Sequence, residues 1–365
     1  MKAVSLLLAG FLFFPGYYSA RADSTQTARK PFIVALRTHY GFIIPHSESI
    51  RSISDSRPWG VELEGSWLLT GDKAWDYCFC HPRMGAAVSY VNFDNRDILG
   101  SATSLVYFIE PFLSYNRKFN FSFRTGMGIS YLDNTHDAAK NPQNLFYSSP
   151  ISFLLQLNVA LNYRLNSRTF VRLAAYYNHI SNGGMREPNK GINYPTLSLG
   201  ADHALRPVEL KARPRIRNSM FSERKTHYEA ALLFTAKPTG PNAPRRYPIY
   251  GLAAQVARRV GRLSALNAGL EAVVSNVQQQ KLRQEQLPGN PFSISVLAGH
   301  DLIIGRFEFS TQLGAYLYAG HFNRDPVYQR YGLRFRFNDR FFAGINLKSH
   351  REVADFMDVR VGVRF

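Results

Sequence analysis

The sequence predicts an all-β protein, a transmembrane antiparallel β-barrel of the outer-membrane type with about 14–16 strands. Three observations carry that prediction. Apolar and polar side chains alternate with a period of two along segment after segment, connections switch between tight turns and long loops, and the last strand ends in an aromatic, Phe365. A soluble β-sandwich alternates in the same way. Several of these segments, however, reach the roughly 9 to 11 residues needed to cross a membrane, which is longer than the common soluble strand. A sandwich also has no reason to keep short turns at one end and long loops at the other.

Lys2, the apolar run Val4 to Phe14 and Ala20-Arg21-Ala22 before Asp23 read as a secretory signal over residues 1–22. That run is too short for a spanning helix and nothing comparable follows, so residues 23–365 are expected to form one barrel domain in the bacterial outer membrane. The chain has 27 Phe and 20 Tyr yet a mean hydropathy of −0.22, totals that fit a two-domain soluble β protein and a single large barrel alike. Its formal net charge of +18 calls for anionic partners. Export argues against nucleic acid and favours the phosphorylated surface of lipopolysaccharide or phospholipid headgroups. Cys78 and Cys80, separated only by Phe79, would make a strained disulfide. They are read as two thiols on one face of a turn. With no His or Cys cluster to complete a metal site, no metal or cofactor is expected.

Taken in order, the strand-like segments begin with Phe32 to Phe42, Arg57 to Leu69, Met84 to Phe93 and Ser101 to Tyr115. The cleanest alternation comes next. Phe119, Phe121, Phe123, Met127, Ile129 and Tyr131 share one face against Asn120, Ser122, Arg124, Gly126, Gly128 and Ser130, and Ile151 to Tyr163 repeats the pattern with Leu154 as its one large exception. Thr169 to His179 and Gly191 to Leu205 flank the polar loop Asn182 to Lys190. Arg206 to Lys225 is basic and is read as a solvated connector. Eight more segments follow, from His227 to Ala236 through to Ala354 to Phe365, without a convincing helix. Asn166-Ser167, Gly261, Ile304-Gly305 and Asn338-Asp339 are tight turns, whereas Asn134 to Ser149, Lys237 to Arg246, Ser275 to Asn290 and Ala319 to Pro326 are long. By the barrel rule the short turns are periplasmic, and the loop after His179 lies outside the cell.

The best nucleophile and base in the chain, Ser181 and His179, sit where the Thr169 strand runs into that loop. Counting back by twos gives Tyr177, Ala175, Leu173 and Val171, the apolar set. In a soluble protein this parity would bury the pair; in a barrel it faces the pair toward acyl chains at the outer leaflet. A serine hydroxyl needs a base, and the base needs an orienting group. Asn193, on the following strand, projects from the same face and can orient a histidine. Asn182 and the amides of Gly183 and Gly184 could hold an oxyanion. His46, His350 and Asp355, near segment ends, read as structural or luminal, and no G-x-S-x-G, H-E-x-x-H or phosphate-cradling loop is present.

His179-Ile180-Ser181-Asn182, with Pro188-Asn189-Lys190-Gly191-Ile192-Asn193, resembles the His-x-Ser-Asn motif of outer-membrane lipid A 3-O-deacylases, also called acyloxyacyl hydrolases. Gly41 to Pro45, Leu347-Lys348-Ser349-His350 and Ala354-Asp355-Phe356 resemble landmarks of the longer, Bacteroidota-type members. The resemblance implies a barrel that hydrolyses an acyl ester of lipid A, with Ser181 as nucleophile, His179 as base and Asn182 at the oxyanion, where the Gly183 amide is also expected. Asn193 stands where the family's acid, a Glu, is expected, which leaves Glu187 as an alternative acid. The same Asn resembles the calcium-dependent outer-membrane phospholipase A. A non-enzymatic porin is the third reading, since Arg124, Arg172, Arg334, Arg336, Arg360 and Arg364 face inward and could pass anions. The expected partner is the lipopolysaccharide of the outer leaflet, with pairing of two copies left open.

Overall fold

The computed structural model describes residues 30–208, 210, 225–240, 243, 245–320, 325–351 and 353–365. The expected signal, residues 1–22, and most of the basic stretch 206–225 lie outside them. The first half holds β1 (Phe32–Gly41), β2 (Trp59–Leu68), β3 (Arg83–Asn92), β4 (Ser101–Glu110), the short β5 (Phe112–Leu113), β6 (Phe119–Leu132), β7 (Ile151–Arg164), β8 (Thr169–Ser181), the short β9 (Ile192–Asn193) and β10 (Thr196–Ala204). The second half holds β11 (Thr226–Pro238), β12 (Arg246–Arg259), β13 (Ser264–Ser275), β14 (Phe292–Ile304), β15 (Phe307–Ala319), β16 (Val327–Arg336), β17 (Phe341–His350) and β18 (Val353–Arg364).

All neighbours pair antiparallel, and the expected strand number holds, but the closure differs from a single barrel over residues 23–365. β10 pairs with β8 on one side and β1 on the other, so that Leu199 faces Leu173 and Thr38. The first ring is thereby complete before residue 206. β11 pairs with both β12 and β18, with Leu232 opposite Val361, which closes a second ring. Alternation and turn lengths are the same for one ring of sixteen as for two rings of eight. Only the partners of β10 and β18 decide between them, and strand pairing across more than a hundred residues leaves no local mark.

An eight-stranded ring is just wide enough for side chains to fill. In the first ring the filling is charged. Arg37 contacts Glu64 at 2.6 Å and Asp202 at 2.7 Å, Arg83 contacts Asp202 and Glu110 at 2.7 Å, and Arg124 contacts Glu64 at 2.6 Å and Glu110 at 2.9 Å. Arg172 also pairs with Glu110. In the second ring Arg330 and Arg360 share Glu271 and Asp358, while Arg334, Arg336 and Arg364 share Glu229 and Glu308. Every inward arginine on which the porin reading rested is therefore ion-paired, and the anion lining it required is gone.

The outward faces are apolar. Leu63, Val159, Leu199, Leu232, Leu313 and Val361 are all more than half exposed, a band that acyl chains cover. Aromatics mark both rims of the first ring, with Tyr40, Trp59, Tyr90 and Tyr131 toward the long loops and Trp67 and Phe119 at the other end. Inside the long-loop end, Ile43, Phe93, Leu99, Phe146, Tyr147, Leu154, Ile180, Ile192 and Tyr194 form a buried apolar cap. This explains Leu154, the exception in its segment's pattern: it lies on the inward face where the lining turns from charged to apolar.

Two connections differ from expectation. α1 (Asp72–Cys78) lies between β2 and β3 and ends at Phe79, whose φ of 52° brings the Cα atoms of Cys78 and Cys80 to 5.1 Å. That is within disulfide range, and the two cysteines are bonded rather than free. α2 (Asn276–Gln284) occupies part of the long Ser275 to Asn290 connection, capped by the Ser275 hydroxyl, which accepts from the Gln278 amide at 3.3 Å.

Glu110 holds three guanidinium groups and the Ser122 hydroxyl. Removing one partner from a buried charge cluster costs about 3–5 kcal/mol. Glu110→Ala should lower the temperature at which the folded, faster-migrating gel band converts to the unfolded one, and an unchanged conversion temperature would show that the cluster does not hold the ring.

Candidate active site

β8 carries Phe170, Arg172, Ala174, Tyr176, Asn178 and Ile180 inward, all of them buried. Val171, Leu173, Ala175, Tyr177, His179 and Ser181 therefore face out. His179 lies directly opposite Asn193, and Ile180 opposite Ile192. The Ile180 and Ile192 side chains lock into the apolar cap, so their neighbours in the sequence are turned to the outside.

On that side His179 Nδ1 and Asn193 Oδ1 are 2.6 Å apart. Because an amide oxygen can only accept, Nδ1 carries the proton and the lone pair of Nε2 is left free to act as a base. The Tyr177 hydroxyl also donates to Asn193 Oδ1, at 2.8 Å. Asn193 Nδ2 in turn donates to His46 Nδ1 at 3.1 Å, while His46 Nε2 donates to the Lys190 carbonyl at 2.9 Å. Each of these bonds fixes which way the Asn193 amide points.

Ser181 is nearly buried by the loop that follows it. Its Oγ accepts from the Gly183 amide at 3.1 Å and from Asn189 Nδ2 at 3.0 Å. No hydrogen bond joins it to His179. The two side chains meet over Gly191, where an added Cβ would lie 2.8 Å from His179 Cε1 and 3.4 Å from Ser181 Cβ. Gly191 has a φ of 73°. Its missing side chain is the space the histidine occupies.

The other expected site residues divide. Gly183 is in place. The Asn182 side chain is turned into the loop: Nδ2 donates to the Arg186 carbonyl at 2.7 Å and Oδ1 accepts from the Met185 amide at 3.1 Å, an arrangement that builds the turn and does not face the nucleophile. Glu187 accepts from the Asn189 amide at 3.0 Å and braces Asn189, and the residue that meets His179 Nδ1 is Asn193. Three contributors were missed. Asn189 lies inside the quoted Pro188 to Asn193 stretch and could have been suspected from its neighbours. Tyr177 had only its parity, and His46, 147 positions from Asn193, had no signal. Among the described residues no group of three or more His, Cys, Asp or Glu converges as a metal-ligand set.

Below the histidine on the same face, Tyr40, Phe42, Arg57, Ala175, Pro195 and Leu197 line a largely apolar groove of about 400 Å³. Ala175 is four residues along β8 from His179, about 13 Å at the usual strand rise.

None of the curated proteins matches the sequence. Among solved structures, the outer membrane enzyme PagL is 15% identical, with 46% of this chain and 97% of that one covered and a TM-score of 0.34. Neisserial surface protein A is 11% identical, with 47% and 96% covered and a TM-score of 0.32. A mutant porin of Rh. blastica is 10% identical, with 92% and 99% covered and a TM-score of 0.20. Two family models match in succession: lipid A 3-O-deacylase (PagL) over residues 60–202, and the acyloxyacyl hydrolase C-terminal domain over residues 226–365. The first match spans most of the first ring and the second match the whole of the second, so the chain belongs to the lipid A 3-O-deacylase and acyloxyacyl hydrolase family of outer-membrane β-barrel hydrolases.

Proposed function

We propose that the protein removes an acyl chain from lipid A by a serine–histidine mechanism at a site on the lipid-facing side of its first ring. The observation that carries this reading is the 2.6 Å contact between His179 Nδ1 and Asn193 Oδ1 on an outward face, beside Ser181. Both hydrogen bonds at Ser181 Oγ are accepted from N–H donors, which leaves its own proton free to be given to His179 Nε2 once the side chain turns. Oγ then attacks the ester carbonyl as Nε2 takes the proton. The resulting oxyanion lies one bond beyond the attacked carbon, within reach of the Gly183 amide and Asn189 Nδ2. Collapse expels the sugar alcohol, which takes the proton back from Nε2, and water attacks the acyl-serine by the same route in reverse.

Asn193 orients the imidazole and fixes its tautomer without adding a negative charge to stabilise the imidazolium. Tyr177 and His46 hold that asparagine in place. The apolar groove at Ala175 and Leu197 suits the acyl tail, with Arg57 toward the anionic headgroup. The chain's net charge of +18 favours the phosphorylated surface of lipid A over zwitterionic phospholipid.

Mass spectrometry of lipid A incubated with purified protein should show loss of one acyl chain. Ser181→Ala should reduce that rate by about 10³-fold or more while the barrel stays folded on an unboiled gel. Full deacylation by folded Ser181→Ala would eliminate the mechanism. Calcium-dependent release of fatty acid from phosphatidylethanolamine, with lipid A untouched, would move the substrate to phospholipid.

Gly191→Ala places a methyl group against the histidine ring and forces a left-handed φ, at a backbone cost of roughly 1–2 kcal/mol. Its kcat should fall by about 10²-fold, because a displacement near 1 Å at a reacting group has that size of effect. A folded Gly191→Ala protein with the parent's kcat would mean that His179 is not the base.

A further inference from the structure

The second ring supplies none of the residues described at Ser181, yet it touches three consecutive residues of the loop that follows. A Cβ at Gly183 would lie 2.4 Å from Met357 Cε, so the methionine of β18 packs directly on the Gly183 backbone. A Cβ at Gly184 would lie 3.2 Å from the Asp355 carbonyl oxygen. Arg246, at the start of β12, donates from Nη2 to the Met185 carbonyl at 3.1 Å. The second ring's own contact points are braced in turn. Lys237 of β11 donates to the Asp355 carbonyl at 2.6 Å and pairs with its carboxylate at 3.2 Å.

Gly183 and Gly184 have φ of 66° and 76°. Two adjacent glycines in that region are the least restrained backbone a loop can have. The Gly183 amide is nonetheless the group that must stay aimed at Ser181. An oxyanion donor is effective only if it is already in place when charge develops. Within the first ring the Asn182 side chain bridges the turn to Met185 and Arg186; the outer side of the two glycines is restrained by the neighbouring ring, through a stretch, Ala354-Asp355-Phe356 and the adjoining Met357, that the chemistry otherwise leaves without a role.

We infer that the second ring is a positioning device for the ester site: Met357, Arg246 and the Lys237–Asp355 pair hold Gly183 to Met185 so that the Gly183 amide stays directed at the oxyanion. This rests on the serine–histidine reading of the first ring. None of these second-ring residues touches a reacting atom, so all of them are positioning residues.

The test uses the full chain in detergent with lipid A as substrate. Met357→Ala and Arg246→Ala should each lower kcat on the order of tenfold with KM changed by less than about twofold, because the loop is loosened while the acyl groove is untouched. Met357→Leu, which restores the packing, should recover most of the rate. Leu313→Ala, on the far side of the second ring, should match the parent. If Met357→Ala does not give the folded gel band, Arg246→Ala carries the comparison. Parental kcat in folded Met357→Ala and Arg246→Ala, a change in KM alone, or no recovery with Met357→Leu would each overturn the inference. Ser181→Ala separates the two readings. If it is inactive while the second-ring variants match the parent, only the positioning role fails; if it retains activity, the serine mechanism fails and the inference with it.

Discussion

The ion-pair cluster inside the first ring is the constraint on which the site depends. Arg172 on β8 points at Glu110, which also holds Arg83 and Arg124. Side chains on a strand alternate, so a one-residue slip of β8 would send Arg172 into lipid and turn His179 and Ser181 into the lumen. An arginine on the lipid face near mid-membrane costs about 2–4 kcal/mol, and Glu110 would lose one of its three guanidinium partners as well. The charged interior thus fixes the parity of β8. At its far end the apolar pair Ile180 and Ile192 repeats the instruction.

With the face fixed, the site is assembled from short-range parts. β9 is only two residues long, but its pairing sets Asn193 against His179. The loop returns through Gly191, whose bare backbone makes room for the histidine ring. Asn182 and Glu187, which look like chemistry in the sequence, serve as scaffolding that holds Asn189 and Gly183 near the serine oxygen. The division has a physical basis. A side chain with a backbone partner two to four residues away satisfies itself locally, and the groups left over are the ones that converge on Ser181.

Much of this was legible in the sequence because a strand has only two faces. Period two gave the outward position of His179, Ser181 and Asn193 and the inward position of Arg124, Arg172 and Arg360. What it could not give was which strand closes on which. That choice separates one ring from two, and with it an arginine-lined passage from a lumen filled with ion pairs. The cysteines were misjudged for a related reason: whether Cys78 and Cys80 can bond depends on the single left-handed residue between them, Phe79. His46 and Met357 reach the site through tertiary contact alone. No spacing rule connects them to it.

The proposed mechanism makes Ser181 a nucleophile facing the lipid side of a folded barrel. The most direct measurement is covalent labelling of the unboiled protein in lipid vesicles with a long-chain alkyl fluorophosphonate, followed by peptide mass spectrometry. One adduct is expected, on the peptide containing Ser181, and it should be lost in His179→Ala. An adduct confined to another residue, or an unlabelled Ser181 in protein that is hydrolysing lipid A, would contradict that mechanism.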